Sequence, residues 1–159
     1  MKAITLNEPG DFVRTICDDP GKPGPGRARI QIEKIGICGT DLHAYRGRQP
    51  FFEYPRILGH ELGVVVTSVG PDVTNVSLGD RCAVEPYLNC GNCVACRVGK
   101  TNCCKSLQCL GVHTDGGMRE SIIVPASKLH SSAKLQTQQL ALVETLGIGA
   151  HAVDRTQLT

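Results

Sequence analysis

Five of the chain's nine cysteines, Cys90, Cys93, Cys96, Cys103 and Cys104, fall within 15 consecutive residues. The chain starts Met-Lys-Ala-Ile-Thr-Leu-Asn-Glu, without an apolar signal core, and in that setting a tight cluster of thiols reads as metal ligands before it reads as disulfides. Cys90, Cys93, Cys96 and Cys104 have the spacing C-x2-C-x2-C-x7-C. Zinc asks for four soft ligands at tetrahedral vertices about 2.3 Å away, and thiolates separated by two residues in tight turns, which Gly91 and Gly99 permit, supply neighbouring vertices without strain. Cys103 is the alternative fourth ligand, but adjacent residues point in different directions and only one closes the tetrahedron; Cys104 is preferred. Four thiolates leave no open position, so this zinc is expected to be structural. Residues 86–110 carry almost no periodic apolar pattern, as expected of a lobe organised by a metal and lying outside the core. Cys17, Cys38, Cys82 and Cys109 are scattered, and scattered cysteines are mostly small buried hydrophobes.

The rest of the chain reads as one mainly β domain. Short β-rich runs broken by turn signals cover Met1 to Leu6 and Phe12 to Ile16, and Arg27 to Ile35 alternates polar and apolar residues as a half-buried strand does. Leu62 to Val69 is β-branched and nearly continuous, which suits a strand buried on both faces. Arg81 to Glu85 and the segment from Gly116 to Pro125 add two more strands, and many short strands with regular turns point to a small barrel-like domain. Only Gln136 to Val153 reads as helical, with Leu140, Val143 and Gly147 on one face and Ala141, Glu144 and Ile148 on another. With 17 Lys and Arg interspersed among 15 Asp and Glu, a net charge of +2 removes any electrostatic argument for nucleic acid or an anionic membrane as the main partner. The longest apolar runs fall far short of the roughly 18 to 20 residues a bilayer span needs, so a cytoplasmic protein is expected.

Two short segments carry the remaining chemistry. Cys38-Gly39-Thr40-Asp41-Leu42-His43 and Gly59-His60-Glu61 both lie at expected strand ends, where loops can aim side chains at a shared pocket. Taken with Gly36-Ile37 before the first, Gly79-Asp80-Arg81, the cysteine lobe and Gly116-Gly117 through Pro125, their order and approximate spacing resemble the zinc-dependent branch of the medium-chain alcohol and polyol dehydrogenases over essentially the whole chain. Thr40 and His43 in this arrangement look most like the sorbitol and threonine dehydrogenase group.

The resemblance implies a GroES-like barrel with an inserted structural-zinc lobe and a short C-terminal helix, and two zinc ions per chain. Cys38 and His60 match the ligands of a catalytic zinc, and Glu61 matches the neighbouring acid that binds zinc or exchanges with its water. Glu144 stands where polyol dehydrogenases carry an acid and other alcohol dehydrogenases a cysteine, making it a further candidate ligand. Asp41 matches the acid that fixes the tautomer and ring direction of the ligand histidine. Two positions depart from the family pattern: Gly63 stands one place early, with Val64 where the glycine of Gly-His-Glu-x-x-Gly belongs, and Thr145 stands where proline commonly follows the acid.

An open zinc acts as a Lewis acid on an alcohol oxygen, and the released proton needs a path to water. Thr40 beside the substrate oxygen, followed by the His43 imidazole, a side chain that exchanges protons with water near neutral pH, is the expected relay. Tyr45, Phe51 and Phe52 are candidates to line the substrate pocket. Hydride transfer also needs NAD or NADP on a Rossmann domain. Gly147-Ile148-Gly149-Ala150-His151-Ala152 has the formal pattern G-x-G-x-x-A, but only seven residues follow it, too few for a crossover and a second strand. The chain is therefore expected to hold a catalytic domain over residues 1–150, with the zinc lobe at 86–110, and at 151–159 the start of a connection to a nucleotide-binding domain. The expected protein is a small-molecule alcohol or polyol dehydrogenase, possible as a homo-oligomer at full length and inactive as this segment alone. A free-standing, non-catalytic zinc-binding module is the alternative.

Overall fold

The computed structural model describes residues 1–50 and 52–157. Phe51, one of the expected pocket residues, and the last two residues of the expected connection lie outside them. The centre of the fold is a five-stranded antiparallel sheet. It is built from β3 (Arg27–Gly36), β4 (Glu61–Val69), β5 (Arg81–Val84), β8 (Ser121–Pro125) and β9 (Leu129–Ser131), in the order β8-β3-β4-β5-β9. The alternation of β3 places Ala28 and Ile30 in a core with Leu62, Val64, Val66 and Val84, all nearly inaccessible. Each of the Ile, Leu and Val side chains among them contributes about 1.5–3 kcal/mol through burial. A hairpin of β1 (Lys2–Glu8) and β2 (Asp11–Ile16) is tied on by short bridges from Ala3 to Arg119 and from Leu6 to Arg56.

The first half of β4 is covered on both faces, as its composition predicts. Its second cover is a short helix, α3 (Thr137–Leu140), that lies almost on the backbone at Gly63. A Cβ there would stand 2.7 Å from the Thr137 carbonyl carbon and would collide with its oxygen. The early glycine therefore has a packing reason, and the strand runs through it. A bulge at Glu33 of β3 absorbs the irregularity: Ile32 pairs with Val64 and Lys34 with Gly63, and Val64 is buried in the core.

Three elements differ from the sequence expectation. Residues 39–45 form a helix, α1 (Gly39–Tyr45), where a loop is expected. Its seven residues are too few to show a period, and Gly39 and Thr40 are weak helix formers. The helix is set by its start, where the Asp41 carboxylate accepts the Cys38 N–H at 3.0 Å, and by Ala44, which packs on Leu6 and Leu58 in a second small core. The expected helix from Gln136 is two helices. Leu140 and Ala141 are pinned in the interior, and the chain breaks there before α4 (Val143–Thr156), which has no buried residue among those described. Strand β9 carries too few residues to show an alternation.

The cysteine lobe leaves the sheet after β5 and returns before β8. Its root is a two-stranded ribbon of β6 (Tyr87–Leu88) and β7 (Gln108–Cys109), with one short helix, α2 (Val94–Arg97), and a single tight turn at residues 101–103 beyond it.

Candidate metal centres

Within the lobe, the sulfurs of Cys90, Cys93, Cys96 and Cys104 all lie within 4.8 Å of one another. Four sulfurs about 2.3 Å from one ion at tetrahedral vertices stand about 3.8 Å apart. Cys93 and Cys96 are 3.5 Å apart here and Cys90 and Cys96 4.0 Å. Cys104 is buried and its sulfur accepts the Cys90 N–H at 3.3 Å, whereas Cys103 is exposed and stands outside the set. The backbone prepares the thiolates: N–H groups of Cys96 and Lys105 aimed at the Cys93 sulfur lower its pKa from 9.0 to about 6. N–H groups of Asn92 and Cys93 likewise lower that of Cys90.

The second cluster forms where β3 ends and β4 begins. Gly36 and Glu61 are register partners across that ladder, so Cys38, two residues past Gly36, comes beside His60 and Glu61. Their ligand atoms also lie within 4.8 Å of one another, with His60 and Glu61 buried. The approach to His60 is held by the segment after β7: Gly116 donates to the Ile57 carbonyl at 2.7 Å, Gly117 to Gly59 at 2.8 Å and Met118 to Leu58 at 2.9 Å. In the sequence Gly116 and Gly117 read as a turn before a strand and as part of the family's motif order, without a contact to His60.

Asp41 is 4 % exposed, and its carboxylate stands 3.9 Å from the His60 Nδ1 atom, beyond hydrogen-bond reach. Burial pushes the Asp41 pKa up, opposed by the Cys38 N–H it accepts and by the His60 ring. The Nδ1 atom of His60 and the Oγ1 atom of Thr40 are both buried and without a hydrogen-bond partner. An unmet polar atom costs about 1–3 kcal/mol. The clustered thiol, imidazole and carboxylate of Cys38, His60 and Glu61 fit a cation, and the unmet Thr40 hydroxyl, two residues past Cys38, fits a substrate oxygen. His43 follows Thr40 by one turn of α1 and is exposed, so the two share a face that leads from the buried site to water.

Glu144 is not among the clustered atoms. It sits in the first turn of α4, half-buried, and its Oε1 atom accepts the Tyr87 O–H at 2.9 Å. Burial, followed by that bond and the Glu144 charge, pushes the Tyr87 phenol well above its ordinary pKa. Across the β6–β7 ribbon from Tyr87 is Cys109, whose thiol burial and the nearby Glu144, Cys38 and Asp41 charges push up to about 12. Neither residue stands out in the sequence. Tyr87 belongs to no motif, and Cys109 looks like any other isolated cysteine. The glycines of Gly147-Ile148-Gly149 lie inside α4 and form no strand-to-helix turn. Tyr45 stacks on Phe12 with ring centroids 5.6 Å apart, and Phe52 packs edge-on to Tyr54 at 4.9 Å, so both rings have packing partners. No helix among the described residues is long and apolar enough to cross a membrane.

Comparison with known proteins places these features in a lineage. Residues 24–134 match the alcohol dehydrogenase GroES-like domain. The chain is 43% identical over 158 residues to the L-galactonate-5-dehydrogenase of Escherichia coli K12, covering 99% of this chain and 46% of that protein. It is 37% identical to the L-threonine 3-dehydrogenase of Pyrococcus horikoshii, covering 97% and 44%. Among solved structures, an alcohol dehydrogenase from Escherichia coli CFT073, complexed with NADH, superposes with a TM-score of 0.90 at 36% identity, over all of this chain and 46% of that one. The chain thus spans about half the length of the relatives it matches.

Proposed function

The chain belongs to the alcohol dehydrogenase GroES-like domain family, and from that premise we propose that it is the catalytic half of a zinc-dependent, NAD(P)-linked dehydrogenase that oxidises an alcohol or polyol carbon to a carbonyl. The observation that carries this reading is the clustering of the Cys38, His60 and Glu61 ligand atoms, with the buried, unpartnered Thr40 hydroxyl two residues past Cys38. In this reading Cys38, His60 and Glu61 hold the catalytic zinc, and Cys90, Cys93, Cys96 and Cys104 hold a structural one. When bound, zinc supplies Lewis acidity at the alcohol oxygen and the nicotinamide dinucleotide a hydride acceptor.

The chain's own residues do the rest. The buried Asp41 carboxylate faces the His60 Nδ1 atom at 3.9 Å and accepts the Cys38 N–H at 3.0 Å, so one acid stands behind both ligands. Thr40 accepts the proton of the substrate hydroxyl and passes it along α1 to His43, which gives it to water. Oxidation then balances: one proton leaves through α1, and two electrons with the second hydrogen leave as hydride. In this reading the dinucleotide is held outside these residues: Gly147 and Gly149, the glycines of the formal G-x-G pattern, lie inside α4 and open no strand-to-helix turn. Residues 1–159 alone are accordingly inactive. The substrate class is a polyol or hydroxy acid, the chemistry named for the galactonate and threonine enzymes among the relatives.

The test uses the protein expressed from its own gene. Two zinc ions per chain, loss of one in Cys38→Ser, and alcohol-dependent reduction of NAD or NADP that disappears in the same variant are expected. Equal metal content in the wild type and Cys38→Ser would overturn the reading and favour a non-catalytic zinc module.

A further inference from the structure

Glu144 has the chemistry of a metal ligand, and its charge and that of Cys38 act on the same two neighbours, Tyr87 and Cys109, yet its carboxylate is already engaged. The Tyr87 hydroxyl donates to Oε1 at 2.9 Å, and the pair lies in the wall of a cavity of about 340 Å³ lined by Ala83, Val84, Pro86, Val143 and Ile148. In such apolar surroundings a hydrogen bond to a carboxylate is strong and not readily exchanged for water. The two partners differ in how firmly they are held. Tyr87 is on β6, paired with β7 at the root of the four-cysteine lobe, with the buried Pro86 just before it. Glu144 is on α4, which has no buried residue among those described and begins directly after the break at Leu142. Tyr87 is therefore the fixed member and Glu144 the one that can move.

We infer that Tyr87 is a positioning residue that tethers Glu144 outside the ligand set, so that a metal on Cys38, His60 and Glu61 keeps a fourth position open for the substrate oxygen. The inference rests on the reading of that cluster as a metal centre. Three protein ligands and one open position are what a catalytic site needs, and a second carboxylate as fourth ligand would close it. Tyr87→Phe removes only the hydroxyl and preserves the ring's packing, leaving Glu144 free to swing onto the metal.

The test is cobalt binding by the protein expressed from its own gene, read in the visible spectrum beyond the equivalent taken by the cysteine lobe, with azide added as an outside ligand. In the wild type, azide is expected to change the spectrum. In Tyr87→Phe the spectrum should no longer respond to azide, and cobalt should bind roughly tenfold more tightly. The double variant Tyr87→Phe with Glu144→Gln should recover both wild-type behaviours, a rescue that a purely structural role for the ring would not produce. A Tyr87→Phe protein that responds to azide as the wild type does, a wild type already indifferent to azide, or a double variant that behaves like Tyr87→Phe would each overturn the inference while leaving the metal centre intact. If Cys38→Ser binds as much cobalt as the wild type, the metal centre and the tether fail together.

Discussion

Gly36 and Glu61 meet across the β3–β4 ladder so closely that a side chain on Gly36 would stand 2.8 Å from the Glu61 Cβ and collide with its carboxylate. Glu61 can turn toward Cys38 and His60 only because its register partner has no side chain. The same ladder brings Cys38 beside His60, so one strand pairing builds most of the candidate catalytic centre.

Gly36→Ala should therefore separate metal binding at the two centres. The added methyl should displace Glu61, empty the Cys38 site and leave the lobe's metal in place, at a stability cost of about 1–3 kcal/mol from overpacking. Metal analysis of the purified variant is the check, and unchanged zinc content would show that Glu61 is not needed to hold it.

Gly63→Ala meets backbone where Gly36→Ala meets a side chain. The Thr137 carbonyl cannot rotate away, so α3 must lift from β4, and the loss should reach about 3 kcal/mol. Urea unfolding measures it. A variant within about 0.5 kcal/mol of the wild type, the range of an ordinary surface substitution, would mean that α3 is not pressed on the strand.

Cys93→Ser should release the lobe's metal and raise hydrogen exchange over residues 90–104 while β3 and β4 stay protected, because the lobe stands outside the main core. Global loss of protection would show that the lobe and the sheet are one cooperative unit.

In the metal-free protein the thiols should react at widely separated pH. The thiolate is the nucleophile, so alkylation of Cys93 by iodoacetamide should rise through pH 6 and level off above it. Cys109, pushed up to about 12, should stay unreactive across that range. Because the folded Cys93 pKa lies below its ordinary 9.0, the order that its thiolate lends the empty lobe is fully present above pH 9 and is lost as the pH falls through 6. Mass spectrometry of labelled peptides reads both residues.

If the proposed dehydrogenase reading holds, Thr40→Ala in the protein expressed from its own gene should lower kcat by about 10²-fold or more, the range for a lost proton-transfer group. His43→Ala should cost less and recover when free imidazole is added to the buffer. A His43→Ala rate that does not respond to imidazole would remove His43 from the proton path.

The four-cysteine spacing and the main strands were legible in the sequence, because ligand spacing and strand alternation are local patterns, whereas Cys38, Thr40, Asp41, His43, His60 and Glu61 were grouped only by the resemblance their motifs carry. The helix at 39–45 was not, since it is set by a single carboxylate on one N–H and by Ala44 packing against residues far along the chain. Nor was the break after Leu140, where helical spacing continues on both sides and only burial against the sheet separates them. Which atoms gather between distant segments was a tertiary decision. Glu61 rather than Glu144, and the pairing of Tyr87 with Glu144, depend on distances between segments that the sequence lists far apart. Spacing along a chain constrains ligands within one turn of each other, but between segments only the strand register and the glycines that let backbones approach determine which side chains meet.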